Sequence, residues 1–461
     1  MTLRDALAYL LSLGHETLTI KLGLKNTETL LDAIGDPHRQ YPAAQIAGTN
    51  GKGSVAVTLD SICRAAGIRT GLFTSPHLVS ITERIAVDGK PISEPDFARL
   101  TSQVKTTAEA LVKQGELETL PTFFEHVTAI ALLAFREAEV ELAILETGLG
   151  GRLDSTTAAG ADIVAITPIA MDHEEYLGHS LAEIAAEKAA IIRPNVTTIV
   201  APQTEEVLKI IMRQCESVGV EPRLVDFRLT WSTPIPARYR ERWHSGPGDA
   251  TADGRCIATF ETDREVYENI TIGLRGRHQA ANALTALAMA EGLRERGFAI
   301  SRQSIIDGIE SARHPGRLEM WPGQPRILFD GAHNPAAAAA LGAYLDEFVQ
   351  EPLTMIFGAM RDKALNEMAA MLFPKADELI LTSMDNPRAA NLETLTAAAP
   401  ETFKMSRMHQ ASSVIEALRL ARQITSADGL ICITGSLYLV GAVQEILSRE
   451  DRIVAHQRVE H

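Results

Sequence analysis

The chain has few cysteines, no long apolar run and no excess of positive charge, and each shortage excludes something. Its four cysteines, Cys63, Cys215, Cys256 and Cys432, are scattered through 461 residues with no paired spacing. That excludes a disulfide frame or a zinc-ligand pattern and fits reduced thiols in the cytosol. No apolar run is long enough to span a bilayer, and the run Ala336–Ala340 is helix composition. Met1-Thr2-Leu3-Arg4-Asp5 is not a basic segment leading into an apolar core, so no signal peptide is expected and the expected location is cytoplasmic. A net charge of −15 argues against a nucleic-acid partner, because a phosphate backbone needs a basic surface. It leaves room for an anionic substrate held by a local cluster. What remains is a soluble globular composition, 46% hydrophobic and 22% charged, long enough for two or three domains.

Short β-branched runs alternate with amphipathic helical stretches. Strands are expected at Gln45–Ala47, Thr70–Phe73, Leu142–Glu146, Ile163–Thr167, Thr198–Ala201, Arg326–Phe329, Leu353–Phe357, Glu378–Thr382 and Leu430–Thr434. Helices are expected at Ser54–Ala66, Phe124–Ala138, Leu181–Ile192, Glu205–Val218, His278–Arg296, Pro335–Phe348 and Ser412–Ile424. This alternation predicts parallel sheets with helices on both faces. Turn signals at Ser245-Gly246-Pro247-Gly248-Asp249 and Asp253-Gly254 predict a loop-rich antiparallel excursion over 228–270. Arg313-His314-Pro315-Gly316-Arg317 interrupts the pattern between two α/β regions, and the domain boundary is placed there, giving 1–312 and 313–461.

Gly48-Thr49-Asn50-Gly51-Lys52-Gly53-Ser54 stands between a strand and a helix. Its glycines let backbone N–H groups approach phosphate oxygens, Lys52 adds a charge, and the helix start adds its positive dipole end. It matches G-x-x-x-x-G-K-[ST] only in part: Ile46 replaces the first glycine, and Gly53 separates Lys52 from Ser54. Further polar turns follow other strands. Glu146 ends a strand and is followed by Gly148, Gly150 and Gly151, then Arg152 and Asp154. A carboxylate there suits magnesium shared with phosphates, and Arg152 could hold a carboxylate in bidentate fashion. Ser75 in Thr74–Leu78, His173 in Asp172-His173, and Asp330 ahead of His333 also lie at strand ends, where α/β sheets bind ligands. Lys188 sits among apolar neighbours; it is either a snorkelling surface lysine or a buried one with a depressed pKa. Gly358–Lys363 reads equally well as a charged loop.

Together these segments, with Glu187-Lys188, His278-Gln279…Asn282 and Pro315-Gly316-Arg317-Leu318-Glu319, resemble the folylpolyglutamate synthase/dihydrofolate synthase family. Those enzymes are ATP-dependent amide-forming ligases of the Mur ligase superfamily. The resemblance runs in order along nearly the whole chain. It implies a P-loop-type, mostly parallel N-terminal domain that binds ATP and folate, and a smaller Rossmann-like C-terminal α/β domain that ligates glutamate. The implied ATP contacts are Asn50, Gly51, Lys52, Gly53, Ser54, Asn282, Arg317 and Asp330. Magnesium would be held by Ser75, Glu146 and His173, with potassium as a possible second ion. Lys188 would carry a carbamate, and Lys52, Lys188, His333 and Arg317 would be catalytic. Leu22, Gly23, Leu24, Phe123, Arg152 and Asp154 would meet the folate; Arg388 and Ser436 would meet glutamate. The implied acceptors are dihydropteroate or a reduced folate, and a monomer is expected. Thr157, His314, Ala364 and Lys25-Asn26 depart from the family pattern, where Asn, Trp, Asp and an arginine are usual. The alternatives weighed are a Mur-type ligase acting on a muramyl precursor and a P-loop switch that only binds nucleotide.

Overall fold

The computed structural model describes residues 1–14, 23–225 and 250–459. Leu22 lies outside the described residues, as does 228–249 of the expected excursion. The first sheet has eight strands: β1 (Ala43–Ala47), β2 (Thr70–Phe73), β3 (Ile85–Val87), β4 (Lys90–Pro91), β5 (Leu142–Glu146), β6 (Ile163–Ile166), β7 (Thr197–Val200) and β8 (Arg223–Leu224). Their order is β4-β3-β2-β5-β1-β6-β7-β8. Pairing is parallel from β2 to β8, and only β2–β3 and β3–β4 are antiparallel. The central strands β2, β5, β1 and β6 are buried along their whole length because both faces are covered. Along β5, Ala143 and Leu145 enter the core on one face, and Leu142 and Ile144 the core on the other.

An antiparallel hairpin follows, β9 (Arg255–Glu261) with β10 (Val266–Arg275), and packs into the second of those cores. The six-stranded second sheet contains β11 (Glu319–Trp321), β12 (Arg326–Phe329), β13 (Leu353–Phe357), β14 (Glu378–Thr382), β15 (Met408–Ala411) and β16 (Leu430–Thr434), in the order β11-β12-β16-β13-β14-β15. It is parallel except for β11. The chain is therefore α/β throughout, with two parallel-rich sheets. The first sheet's cores take residues up to Ala312, and the second sheet's cores begin at Leu318.

Local signals set the helix ends. Thr204 caps Glu205–Val218, Gly219 closes it in a left-handed conformation, and Val207, Ile211 and Cys215 form its one buried stripe. The helix after the phosphate loop begins at Lys52, two residues earlier than expected, because Gly51 turns the chain at φ 90°. Thr122 and Glu125 form a capping box that starts the helix Phe123–Glu137. All four cysteines are buried and free. Among the described residues, no helix is long and apolar enough to cross a membrane.

Candidate active site

Parallel strands send their carboxyl ends to one edge, and here both sheets turn that edge toward a shared cleft. Its cavity, about 1250 Å³, is lined by Gly48–Ser54 after β1, Ser75 after β2, Glu146 at the end of β5 and His173 after β6. From the second sheet come Asp330 and His333 after β12, Lys363 after β13, Arg388 after β14 and Ser436 after β16. Gly23, Asp154, Lys188, Asn282 and Arg317 also line it.

The phosphate loop is shaped by close approach. Gly48 has φ 149°, and a Cβ there would fall 1.8 Å from Thr167 Oγ1. A Cβ on Gly51 would fall 2.3 Å from Asn282 Oδ1. Thr49 and Asn50 both donate their N–H groups to the Pro168 carbonyl. The Lys52 ammonium folds back onto the Thr49 carbonyl at 3.2 Å.

Lys188 is 4% exposed, and its Nζ donates to the Gly48 carbonyl at 2.8 Å. Burial, then the nearby Lys52 charge, pull its ammonium down to about 7. The snorkelling alternative is thereby set aside. Glu146 is buried too, and its Oε2 accepts the Ser75 N–H at 3.1 Å. Burial raises its pKa against the opposing pull of Lys52. Burial also raises Asp330, whose two oxygens accept from the Leu318 and Ala332 N–H groups, both at 3.0 Å, while Arg317 opposes the rise. The Arg317 Nη1 donates to the Gly331 carbonyl.

Asp172 is the hub between the two sheets. Its Oδ1 takes the Lys363 ammonium at 2.5 Å, and its Oδ2 lies 3.7 Å from His333 Nε2 and 3.9 Å from His173 Nε2. Burial would raise its pKa, but His173, Lys363 and His333 outweigh that and hold the carboxylate ionised far below the usual range. Asn334 Nδ2 reaches both Asn50 Oδ1 at 3.0 Å and Asp172 Oδ2 at 3.4 Å. His173 is held at φ 52°, an uncommon conformation for a residue with a Cβ, which aims its ring into the cleft. Enclosure lowers its pKa to about 3, although 32% of its side chain stays exposed, so its imidazole is neutral and able to ligate.

Several expected contacts are placed differently. Phe123 is 5% exposed and packs inward beneath the Arg84 guanidinium, 5.4 Å from its ring centroid. Its neighbour Phe124, one helical step round, lines the cavity instead. Arg152 does not line the cavity: its guanidinium is engaged by Glu187 at 2.7 Å near the surface. Asp154 lines the wall, yet Oδ2 accepts from the Gly148 and Leu149 N–H groups and Oδ1 from Thr156, so its carboxylate shapes the loop after β5. Leu24 precedes the helix Lys25–Ala33 and is not part of the lining. Arg388 Nη2 donates to Asp362 Oδ2 at 2.6 Å, and Ser436 Oγ accepts the Tyr438 N–H at 3.2 Å. The Asp172-His173 and Gly358–Lys363 segments stand out in the sequence, but neither Asp172 nor Lys363 is given a role there, because their pairing joins positions 191 residues apart.

Among the described residues, no three His, Cys, Asp or Glu side chains converge as a metal cage. Glu146, His173 and the Ser75 hydroxyl line one wall as separate donors. One carboxylate with open neighbours suits a magnesium ion that shares its shell with phosphate oxygens and water.

Residues 46–290 match the Mur ligase middle domain, and residues 316–437 match the Mur ligase glutamate ligase domain. The dihydrofolate synthase/folylpolyglutamate synthase of Mycobacterium tuberculosis is 32% identical over 481 residues, covering 97% of this chain and 95% of that protein. Among solved structures, M. tuberculosis folylpolyglutamate synthase complexed with ADP superposes with a TM-score of 0.85 at 32% identity, covering 96% of this chain and 99% of that one. The Yersinia pestis bifunctional folylpolyglutamate synthase/dihydrofolate synthase, complexed with AMPPNP and a manganese ion, gives 0.80 at 28% identity, covering 97% and 98%.

Proposed function

The chain belongs to the dihydrofolate synthase/folylpolyglutamate synthase family of Mur ligases, and on that ground we propose how its cleft divides the work of ligation among its residues. It is an ATP-dependent ligase that joins glutamate to folates. The observation that carries the assignment of roles is the facing of the Gly48–Ser54 loop by Arg317 and Asp330 across one cavity.

The acceptor carboxylate attacks the γ-phosphorus of ATP, and ADP leaves. The glutamate amine then attacks the carbonyl of the acyl phosphate, phosphate leaves, and an amide remains. Phosphoryl transfer asks mainly for positioning and charge neutralisation. Asn50, Gly51, Lys52, Gly53 and Ser54 cradle the phosphates. Lys52 on one side and Arg317 on the other neutralise the γ-phosphoryl group. Asn282 and Asp330 hold the rest of the nucleotide. Glu146, His173 and Ser75 would hold a divalent cation, which would supply further charge neutralisation. Potassium, if it takes part, has no residue assigned to it. His333 and Lys188 serve the reacting centre, Lys188 as a carbamate whose anionic end replaces the ammonium. Gly23 and Phe124 form the acceptor wall with Asp154 behind it, and Arg152 could join only by releasing Glu187. Arg388 and Ser436 offer a cation and a hydroxyl to the incoming glutamate. The division at 312/313 separates the half that holds the acceptor and the phosphate loop from the half that presents glutamate and brings Arg317 and Asp330 to the nucleotide. We place the enzyme in the cytoplasm as a monomer, taking dihydropteroate, a reduced folate or both.

The test supplies ATP, magnesium and L-glutamate with dihydropteroate and with a reduced folate separately, and identifies products by mass. Addition of one glutamate to at least one acceptor, with matching phosphate release, is expected. No glutamate-dependent phosphate release with either acceptor would sink the assignment.

A further inference from the structure

We propose that His314 is a positioning residue for the phosphate loop: its Nδ1 accepts the Ser54 hydroxyl proton, turning the Ser54 lone pairs toward the cleft as acceptors for the divalent cation that accompanies the nucleotide. This rests on the nucleotide-binding role given to the loop above.

Three observations meet at this point. Ser54 is 5% exposed, and its Oγ lies 3.4 Å from His314 Nδ1, a contact between residues 260 apart in sequence. The imidazole also lies against the loop backbone: a Cβ on Gly53 would fall 2.7 Å from His314 Cε1 and 3.1 Å from Nε2. The extra glycine between Lys52 and Ser54 is thus the space the histidine occupies. Finally, the same point on Gly53 is 3.4 Å from Glu146 Oε1, so the histidine, the serine and the metal-side carboxylate surround one backbone position.

A serine hydroxyl has one proton and two acceptor lone pairs. A proton aimed into the cleft suits a bare phosphate and opposes a cation. A proton held by His314 does the reverse. The His314 imidazole accepts at Nδ1 in the tautomer that carries its proton on Nε2. The histidine stands in the segment joining the two sheets, so the hydroxyl takes this orientation only while that segment is docked.

Calorimetry with a non-hydrolysable ATP analogue, with magnesium and with a chelator, tests this on the full chain. In His314→Ala, the magnesium-loaded analogue should bind about tenfold more weakly, the scale of one hydrogen bond to a charged site. The metal-free analogue should change less than about twofold, well under one such bond. His314→Asn places an acceptor near the Nδ1 position and should recover most of the loss. Ser54→Ala combined with His314→Ala should lose no more than Ser54→Ala alone. Equal losses with and without magnesium, no recovery in a folded His314→Asn, or additive losses would each overturn the proposal. If the unaltered protein binds no analogue at all, the nucleotide reading itself falls.

Discussion

Lys188 shows how much one enclosed charge can report. An ammonium that would ordinarily titrate near 10.5 is brought to about 7 by burial and by Lys52. The free amine, the form that can take up carbon dioxide, is therefore accessible near neutral pH. The sign of the pH effect follows. The folded-state pKa is depressed, so between about 7 and 10.5 the unfolded chain binds the proton and the folded one does not. Stability from this group thus rises with pH across that window and is lowest below 7. Carbamate formation should follow the same direction. Labelled bicarbonate should give a carbamate carbon signal that strengthens from pH 6.5 to 8.5 and is absent in Lys188→Ala. That variant should have weak activity that short carboxylates partly restore. An unchanged spectrum across the range, together with no rescue, would remove the carbamate from the site.

At the scale of elements, the loop after β1 depends on backbone that a side chain cannot share. A Cβ on Gly48 would meet Thr167 Oγ1 at 1.8 Å and the Thr167 carbonyl at 2.9 Å, so the loop must move. The Gly48 carbonyl holds Lys188, and a moved loop misplaces that residue too. Gly48→Ala should lower stability by about 1–3 kcal/mol, the scale of a strained backbone position, and weaken nucleotide binding. Gly67→Ala is the control: it also has positive φ, yet nothing lies within 4 Å of its would-be Cβ. Thermal unfolding and nucleotide titration of the pair separate the effects, and equal nucleotide affinity in both would refute the role given to Gly48. These elements were largely legible in sequence because their signals are local. β2, β5, β12, β13, β14 and β16 fall where apolar runs end in turns, and Glu205–Val218 and Pro335–Phe348 carry their own caps. Short edge strands such as β4 and β8 carry two residues each, too few for any periodicity to register. The site was legible where chemistry sits at a strand end, as at Glu146 and Asp330. It was not legible where rotation about a helix decides the matter, as between Phe123 and Phe124, or where a nearby partner takes the charge, as Glu187 takes Arg152.

For the whole molecule, the proposed division of roles needs both sheets closed on one cleft, and a few polar contacts fasten them. Lys363 meets Asp172, Asn334 meets Asn50, and Arg277 engages Glu347 across the same cavity. The Lys363–Asp172 pair is the most enclosed of these, with side chains 9% and 8% exposed. An enclosed ion pair adds little relative to an apolar pair, but removing one partner strands the other. Lys363→Met would leave the Asp172 carboxylate in the cleft without its ammonium partner. Opening the cleft returns that carboxylate to water at less cost than unfolding either sheet. The variant should therefore populate an open form, a gating effect on closure. Ligation kcat/KM should fall roughly tenfold to a hundredfold, corresponding to a loss of about 1.4–2.7 kcal/mol. The unfolding midpoint should move little, and small-angle scattering should report a larger radius of gyration. Asp172→Asn added to Lys363→Met should recover part of the compact form, because the stranded charge is gone. A Lys363→Met enzyme with unchanged scattering and full activity would show that the other contacts close the cleft without this pair.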